Sequence, residues 1–249
     1  MPDNPVPTMK TTYLPMICSA LWLALPAAAQ PAGNPADQSR LKIVQTEEVM
    51  FPLVLQNSAV MNGNASVAID VDEHGRLTDV LMTGCSRKEF ADAAIKALRQ
   101  WEFSPPRLNG QAWASVQELR FDFSRTGVVV SMTGMDLITS QMDELLKGRL
   151  VYRTWSLREL DRIPTPVKVV TPLAPALAAN QARHSLVVEF YIDEEGRVRM
   201  PSVSRDDAGT AFAASALDAV KQWRFEPPLV RGRPVLVLAR QEFNFVEKS

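Results

Sequence analysis

Apolar residues recur along this chain with two periods, and each period appears twice. Val67, Ile69 and Val71 alternate with Ser66, Ala68 and Asp70, and Val188, Phe190 and Ile192 repeat the spacing further along. A period of two predicts half-buried strands. Phe90, Ala94, Leu98 and Trp101 are separated by four, four and three residues, as are Phe212, Ala216, Val220 and Trp223. That spacing keeps one stripe of a helix facing a core. Both helical patterns run into the same phrase, Trp-Glu-Phe-Ser-Pro-Pro at Trp101–Pro106 and Trp-Arg-Phe-Glu-Pro-Pro at Trp223–Pro228. Proline disfavours helix in the residue before it and offers no N–H, so each helix stops there and the chain extends. Trp101, Phe103 and Pro105, with Trp223, Phe225 and Pro227, are read as the architectural motif that locks each helix end to a sheet.

The two sets belong to one repeat. Gly75 matches Gly196, and Phe90, Trp101, Gly110 and Phe123 match Phe212, Trp223, Gly232 and Phe245. Recurrence of aromatic and turn residues over this length predicts the same small domain twice. In the first copy Phe51-Pro52 and a short helical segment, Leu53–Met61, lead to the alternating strand. Asp72–Gly75 is a turn with glycine where positive φ is wanted. A second strand runs from Arg76 to Thr83, and Ser86-Arg87-Lys88-Glu89 has the form of a capping box opening the helix. After Asn109-Gly110 a third strand runs from Ala112 to Phe123. The second copy repeats the turn at Asp193–Gly196. Its second strand contains Pro201, which places it at a sheet edge, and its third runs from Pro234 to Phe245. Each copy then reads ββαβ, a three-stranded antiparallel sheet with a helix packed on one face, in an α+β architecture. Between the copies, Val128–Val130 is a candidate for one more strand and Met135–Lys147 for a helix stopped by Gly148.

Composition narrows the setting. Acids and bases are interspersed and the net charge is −1, whereas a nucleic-acid binder needs a concentrated basic face. Lys10 precedes an apolar run from Tyr13 to Ala29 that ends in three alanines, the form of a secretory signal peptide. The run holds Pro15 and Pro26 and is about 17 residues long, at the lower limit for a spanning helix. Cleavage is therefore the reading, with an uncleaved inner-membrane anchor as the alternative. The expected divisions are a signal at 1–29, a disordered leader at 30–40, a first domain at 41–124, a linker at 125–163 and a second domain at 164–249. Cys85 is then the one cysteine of the exported chain and makes no intramolecular disulfide.

In combination these features resemble the C-terminal domain of TonB, the energy transducer of Gram-negative bacteria. The resemblance rests on Phe51-Pro52 and Thr171-Pro172, on the alternating strand ending in Asp-x-x-Gly, on the helix closing in Trp-x-Phe-x-Pro, on the Asn109-Gly110 and Arg231-Gly232 turns, and on the final aromatic strand. It implies a periplasmic domain that grips segments of outer-membrane TonB-dependent receptors, or of other envelope proteins, by adding a strand to its sheet. The chain departs from a complete transducer in its second domain copy, in the lack of a long proline-rich spacer, and in having no histidine one turn after Ser19.

Candidate chemistry is sparse. Asp70, Asp72, His74 and Gly75 imitate the start of a calcium loop, but Leu81 stands where the bidentate glutamate belongs. His74 and His184 lack a second ligand at metal spacing, and Cys85 has no evident base. No metal, cofactor or enzymatic activity is expected. A three-stranded sheet leaves two margins of unpaired backbone, and strand addition there gives affinity through main-chain bonds. The third strand is the candidate, with Val116, Glu118, Arg120 and Asp122 in the first copy and Leu238, Arg240, Glu242 and Asn244 in the second. The alternative is a structural module that self-associates as a homodimer, or packs its two copies together, through those margins. Contact with a membrane is expected only if the N-terminal segment stays uncleaved.

Overall fold

Asp72 and Asp193 shape the two hairpins in the same way. Asp72 accepts the backbone N–H of His74 and of Arg76, each at 2.9 Å, and Asp193 accepts those of Glu195 and Arg197 at 3.0 and 2.9 Å. Each carboxylate also receives the Nε of that arginine at 2.8 Å. Gly75 and Gly196 then turn the chain with φ of +82° and +75°, a region that glycine enters without steric cost. The missing side chain serves a second purpose. A Cβ at Gly75 would lie 2.3 Å from the Phe103 carbonyl oxygen, and one at Gly196 would lie 1.9 Å from that of Phe225. Each hairpin tip thus rests on the phrase that follows the helix.

The computed structural model describes residues 40–108, 110–133, 150–175 and 183–246, which all fall within the unit Asn34–Ser249. The expected signal, the leader up to residue 39 and the linker helix Met135–Lys147 lie outside the described residues. The first half comprises β1 (Lys42–Gln45), β2 (Asn62–Val71), β3 (Leu77–Cys85), α1 (Lys88–Leu98), β4 (Glu102–Ser104), β5 (Arg107–Leu108), β6 (Gln111–Ala112), β7 (Ser115–Ser124) and β8 (Gly127–Thr133). Three short strands follow, β9 (Tyr152–Arg153), β10 (Trp155–Ser156) and β11 (Pro166–Lys168). The second half holds β12 (Arg183–Ile192), β13 (Val198–Val203), α2 (Ala211–Val220), β14 (Arg224–Phe225), β15 (Leu229–Val230), β16 (Arg233–Pro234) and β17 (Val237–Val246).

Neither main sheet has three strands. The first is a five-stranded antiparallel sheet in the order β8-β7-β2-β3-β9, and the second has four strands in the order β10-β17-β12-β13. The third strands begin at Ser115 and Val237, later than Ala112 and Pro234, because the residues before them close tiny hairpins, β5 on β6 and β15 on β16. The segment Leu53–Met61 contains one 3₁₀ turn, Leu53–Leu55, and then extends. β13, with Pro201 inside it, lies at a sheet edge as its composition requires. The capping box does not form. The cap position of α1 is Arg87, without a side-chain bond, and Ser86 Oγ instead accepts the backbone N–H of Asn64 at 2.9 Å. α2 is capped by Thr210, whose side chain accepts the N–H of Ala213 at 3.1 Å.

Each helix covers one face of its sheet. Phe90, Ala94 and Leu98 of α1 pack on Val67, Ile69 and Val71, with Leu119, Phe121 and Phe123 of β7 beside them. Ala216 and Val220 of α2 pack on Val188, Phe190 and Ile192. The indole N–H of Trp101 reaches the Glu47 carbonyl at 2.9 Å, and that of Trp223 reaches the Val170 carbonyl at 2.8 Å. The phrase thereby ties each helix end to the segment that opens its half, and β1 on β4 and β11 on β14 add backbone pairing to the same tie. The helix-free faces of the two sheets meet each other. Ala68 and Leu81 from the first sheet pack with Tyr191, Met200 and Leu236 from the second. Tyr152 adds a hydrogen bond across this junction, its hydroxyl donating to Glu194 Oε1 at 2.6 Å.

Candidate functional site

β7 and β17 are equivalent residue for residue. Phe121 lies opposite Ala65 and Phe123 opposite Gly63 on β2. Phe243 lies opposite Leu186 and Phe245 opposite His184 on β12. The two strands differ on their outer sides. β8 pairs with β7 in antiparallel register from Ser124↔Gly127 to Glu118↔Thr133. On β17 the outer side is met only at its start, where β10 runs parallel with Trp155 against Val237 and Ser156 against Leu238. Among the described residues no strand lies beside Ala239–Val246. The expectation of an edge strand in the first half is therefore corrected. Glu118, Arg120 and Asp122 stand on an interior strand, paired through their backbones to β2 on one side and to β8 on the other.

The eight predicted side chains share the helix-free faces but not one environment. Glu118 accepts the Thr83 hydroxyl at 2.5 Å, and Arg120 pairs with Asp122 at 3.1 Å on the same strand. Val116 and Leu238 pack against the junction between the sheets. Arg240 forms an ion pair with Glu189 of β12. Asn244 Oδ1 accepts the Ser185 hydroxyl at 2.6 Å, and Glu242 is exposed opposite Val187. Only Arg240, Glu242 and Asn244 line the open stretch of backbone.

That margin leaves a mark on the core. Phe121, flanked by β8, is completely buried, while its twin Phe243 is only partly covered although it packs on Trp223 with ring centroids 5.7 Å apart. The family model described as the Gram-negative bacterial TonB protein C-terminal matches residues 56–124 and 175–246, together more than half of the chain. The chain belongs to the TonB C-terminal family. No curated protein matches it. TonB-family proteins are periplasmic or membrane-anchored envelope proteins that interact with outer-membrane proteins rather than catalyse reactions. Both matched stretches of this TonB-family chain begin after the lead strands β1 and β11, yet those strands pair with the Trp-x-Phe phrase of their own halves.

The titratable groups elsewhere are held in structural roles. Burial pushes the Cys85 thiol above its ordinary range, with Asp92 adding to the effect. His184 stacks on Phe212 with centroids 4.4 Å apart, and its Nε2 lies 3.6 Å from Asp207. His74 is exposed beside Asp72, whose carboxyl is held below its usual range by the backbone N–H of Arg76. A cleft of about 570 Å³ opens between the halves, with Asp70, Trp113 and Ser115 on one wall and Glu189, Lys221 and Arg240 on the other. Burial raises the Asp70 carboxyl there. Among the described residues no group of His, Cys, Asp and Glu is disposed to hold a metal ion.

Two features of the site escape a reading by period. Phe190-Tyr191-Ile192 and Leu236-Val237-Leu238 break alternation with apolar residues on both phases, the signal of a strand buried on two faces. Tyr191 and Leu236 are the residues that seal the halves together. The stitch through Tyr152–Ser156 carries no such signal, because two-residue strands are too short to show a period.

Proposed function

We propose that this chain is a periplasmic TonB-family binding protein that engages segments of outer-membrane receptors, or of other envelope proteins, by strand addition in support of TonB-dependent transport, without catalysis. The docking margin is the outer side of β17, Ala239–Val246. The observation that carries this reading is the contrast between halves, since the same strand is covered by β8 in the first and, among the described residues, left open in the second. An open margin offers alternate backbone N–H and C=O groups to an extended segment. The domain divisions proposed with it run from 41 to 124 and from 164 to 249; β1 and β11 pair inside those limits, while β8 and β9 add residues of the expected linker to the first sheet and β10 adds residues of it to the second.

The test is a titration of the exported chain with synthetic receptor segments, followed by backbone amide NMR. Shifts are expected along Ala239–Val246 and not along Ser115–Ser124. Shifts confined to other surfaces, or none, would overturn the reading. A homodimer made by pairing two β17 margins is the second reading, favoured by the same open backbone. Sedimentation across a hundredfold range of concentration separates the two, because a monomer throughout excludes it.

A further inference from the structure

β8 shows what the open margin of the second half is built to receive. β7 and β17 have the same length, the same register on their inner partners and the same two phenylalanines. The residues of β17 that correspond to the β8-covered stretch Glu118–Ser124 are Arg240–Val246. In the first half, Val130 lies opposite Phe121 and Val128 opposite Phe123, and both valines pack on the helix-side core. Directly opposed residues of an antiparallel pair project to the same face, so the valines complete the cover over the two rings. Val129 and Ser131, on the other face, are exposed. In the second half nothing described stands where the valines would be, and Phe243 is left partly exposed although Phe245 is buried.

From this correspondence we infer that the second half takes an extended segment of about seven residues, running antiparallel to β17, with aliphatic side chains at its second and fourth positions, while in the first half the equivalent place beside β7 is already filled by β8. This rests on the strand-addition reading and adds the direction, the side-chain pattern and a stoichiometry of one. The length has separate support. β10 already occupies Val237 and Leu238, so an incoming strand stops at Ala239 or Arg240. Its aliphatic pair meets Phe245 and Phe243, and its fifth position faces the exposed carboxylate of Glu242, which a basic or small polar residue suits. The partner is therefore an alternating aliphatic and polar peptide from another protein. β8 itself stays in place because its tether to β7 is the two-residue turn Arg125-Thr126, which gives it a high effective concentration.

The probe is the heptapeptide Gly-Val-Val-Val-Ser-Met-Thr, the sequence of Gly127–Thr133, added in trans to the full chain. Hydrogen exchange is expected to slow along Arg240–Val246 and to stay unchanged along Ser115–Ser124. A nitroxide at the peptide N-terminus is expected to broaden the amides of Phe245 and Val246, and one at its C-terminus those of Arg240 and Gln241. Aspartate in place of either the second or the fourth residue of the peptide is expected to weaken binding by about tenfold or more. N-methylation of one alternate set of peptide amides should abolish binding, while the other set tolerates it. A reversed broadening pattern, or indifference to the two aliphatic positions, would overturn this inference and leave strand addition standing. So would failure of the heptapeptide where a receptor segment protects the same amides. Failure of both peptides at this margin, or concentration-dependent protection without any peptide, would remove the underlying reading as well.

Discussion

Arg199 of β13 grips Asp79 of β3 with its guanidinium fork, its Nε standing 2.9 Å from Asp79 Oδ2, and so joins two halves whose cores are separate. The pair lies beside the apolar seam of Ala68, Leu81, Tyr191, Met200 and Leu236 and is only partly shielded from water. A double-mutant cycle with Asp79→Asn and Arg199→Met is expected to give a coupling of about 1 kcal/mol, at the upper end for pairs that retain solvent contact. Thermal unfolding of the four proteins measures it. A coupling indistinguishable from zero would mean that this pair adds nothing to what the seam and the Tyr152–Glu194 bond already supply.

The hairpin glycines are expected to be the least replaceable residues outside the core. Gly75→Ala and Gly196→Ala combine a left-handed backbone with a Cβ driven into the Phe103 or Phe225 carbonyl. Backbone atoms held in the paired strands β4 and β14 cannot retreat as a flexible side chain would. Each substitution is expected to cost about 2 kcal/mol or more in urea denaturation. Gly110→Ala is the control, since it shares the positive φ but has nothing within 4 Å of the added carbon, and a smaller loss is expected there.

Much of this plan can be read from residue order, and the reason is specific. Gly75, Phe90 and Trp101 each fill a place that few other residues can, so their recurrence as Gly196, Phe212 and Trp223 reports a recurring fold. What stays hidden depends on the partner across a gap. Ser86 satisfies a capping pattern but finds Asn64 instead. The composition of Val128–Val130 marks a strand, yet only the sheet order reveals that it covers β7, with no counterpart beside β17 among the described residues. β7 and β17 are legible as strands in both copies. Their status as edges is not, because that depends on a neighbour supplied by a different stretch of chain.

Alkaline pH is expected to open the junction between the halves. Burial raises the phenol of Tyr152, with Glu194 as its hydrogen-bond acceptor adding to the shift, and burial also raises that of Tyr191, helped by Glu118. A tyrosine in the unfolded chain ionises near pH ~10. A folded-state value above that leaves stability intact below about pH 10, and stability is lost as pH rises beyond it, because the unfolded state then releases protons that the folded state retains. Absorbance of tyrosinate should lag behind that of a free tyrosine and then rise together with loss of the folded signal. Smooth ionisation of both residues near pH ~10 without unfolding would contradict the burial of this seam.

Detaching β8 should turn the closed half into an open one. Val128 and Val130 hold β8 to the core beside Phe123 and Phe121. Replacing both valines with lysine removes that cover and leaves the charges in water, where the strand's other face already lies. The cost is expected to be about 2 kcal/mol, within what a domain with an intact helix-side core can sustain. Phe121 would then be partly exposed, as Phe243 is now, and the outer backbone of Glu118–Ser124 would become available. Calorimetric titration with the heptapeptide Gly-Val-Val-Val-Ser-Met-Thr is expected to move from one site to two, with new protection along Ser115–Ser124. If the doubly substituted chain stays folded by circular dichroism and still binds a single peptide, then the margins of β7 and β17 are not equivalent. The open strand of the second half would in that case owe its competence to something other than the absence of its own β8.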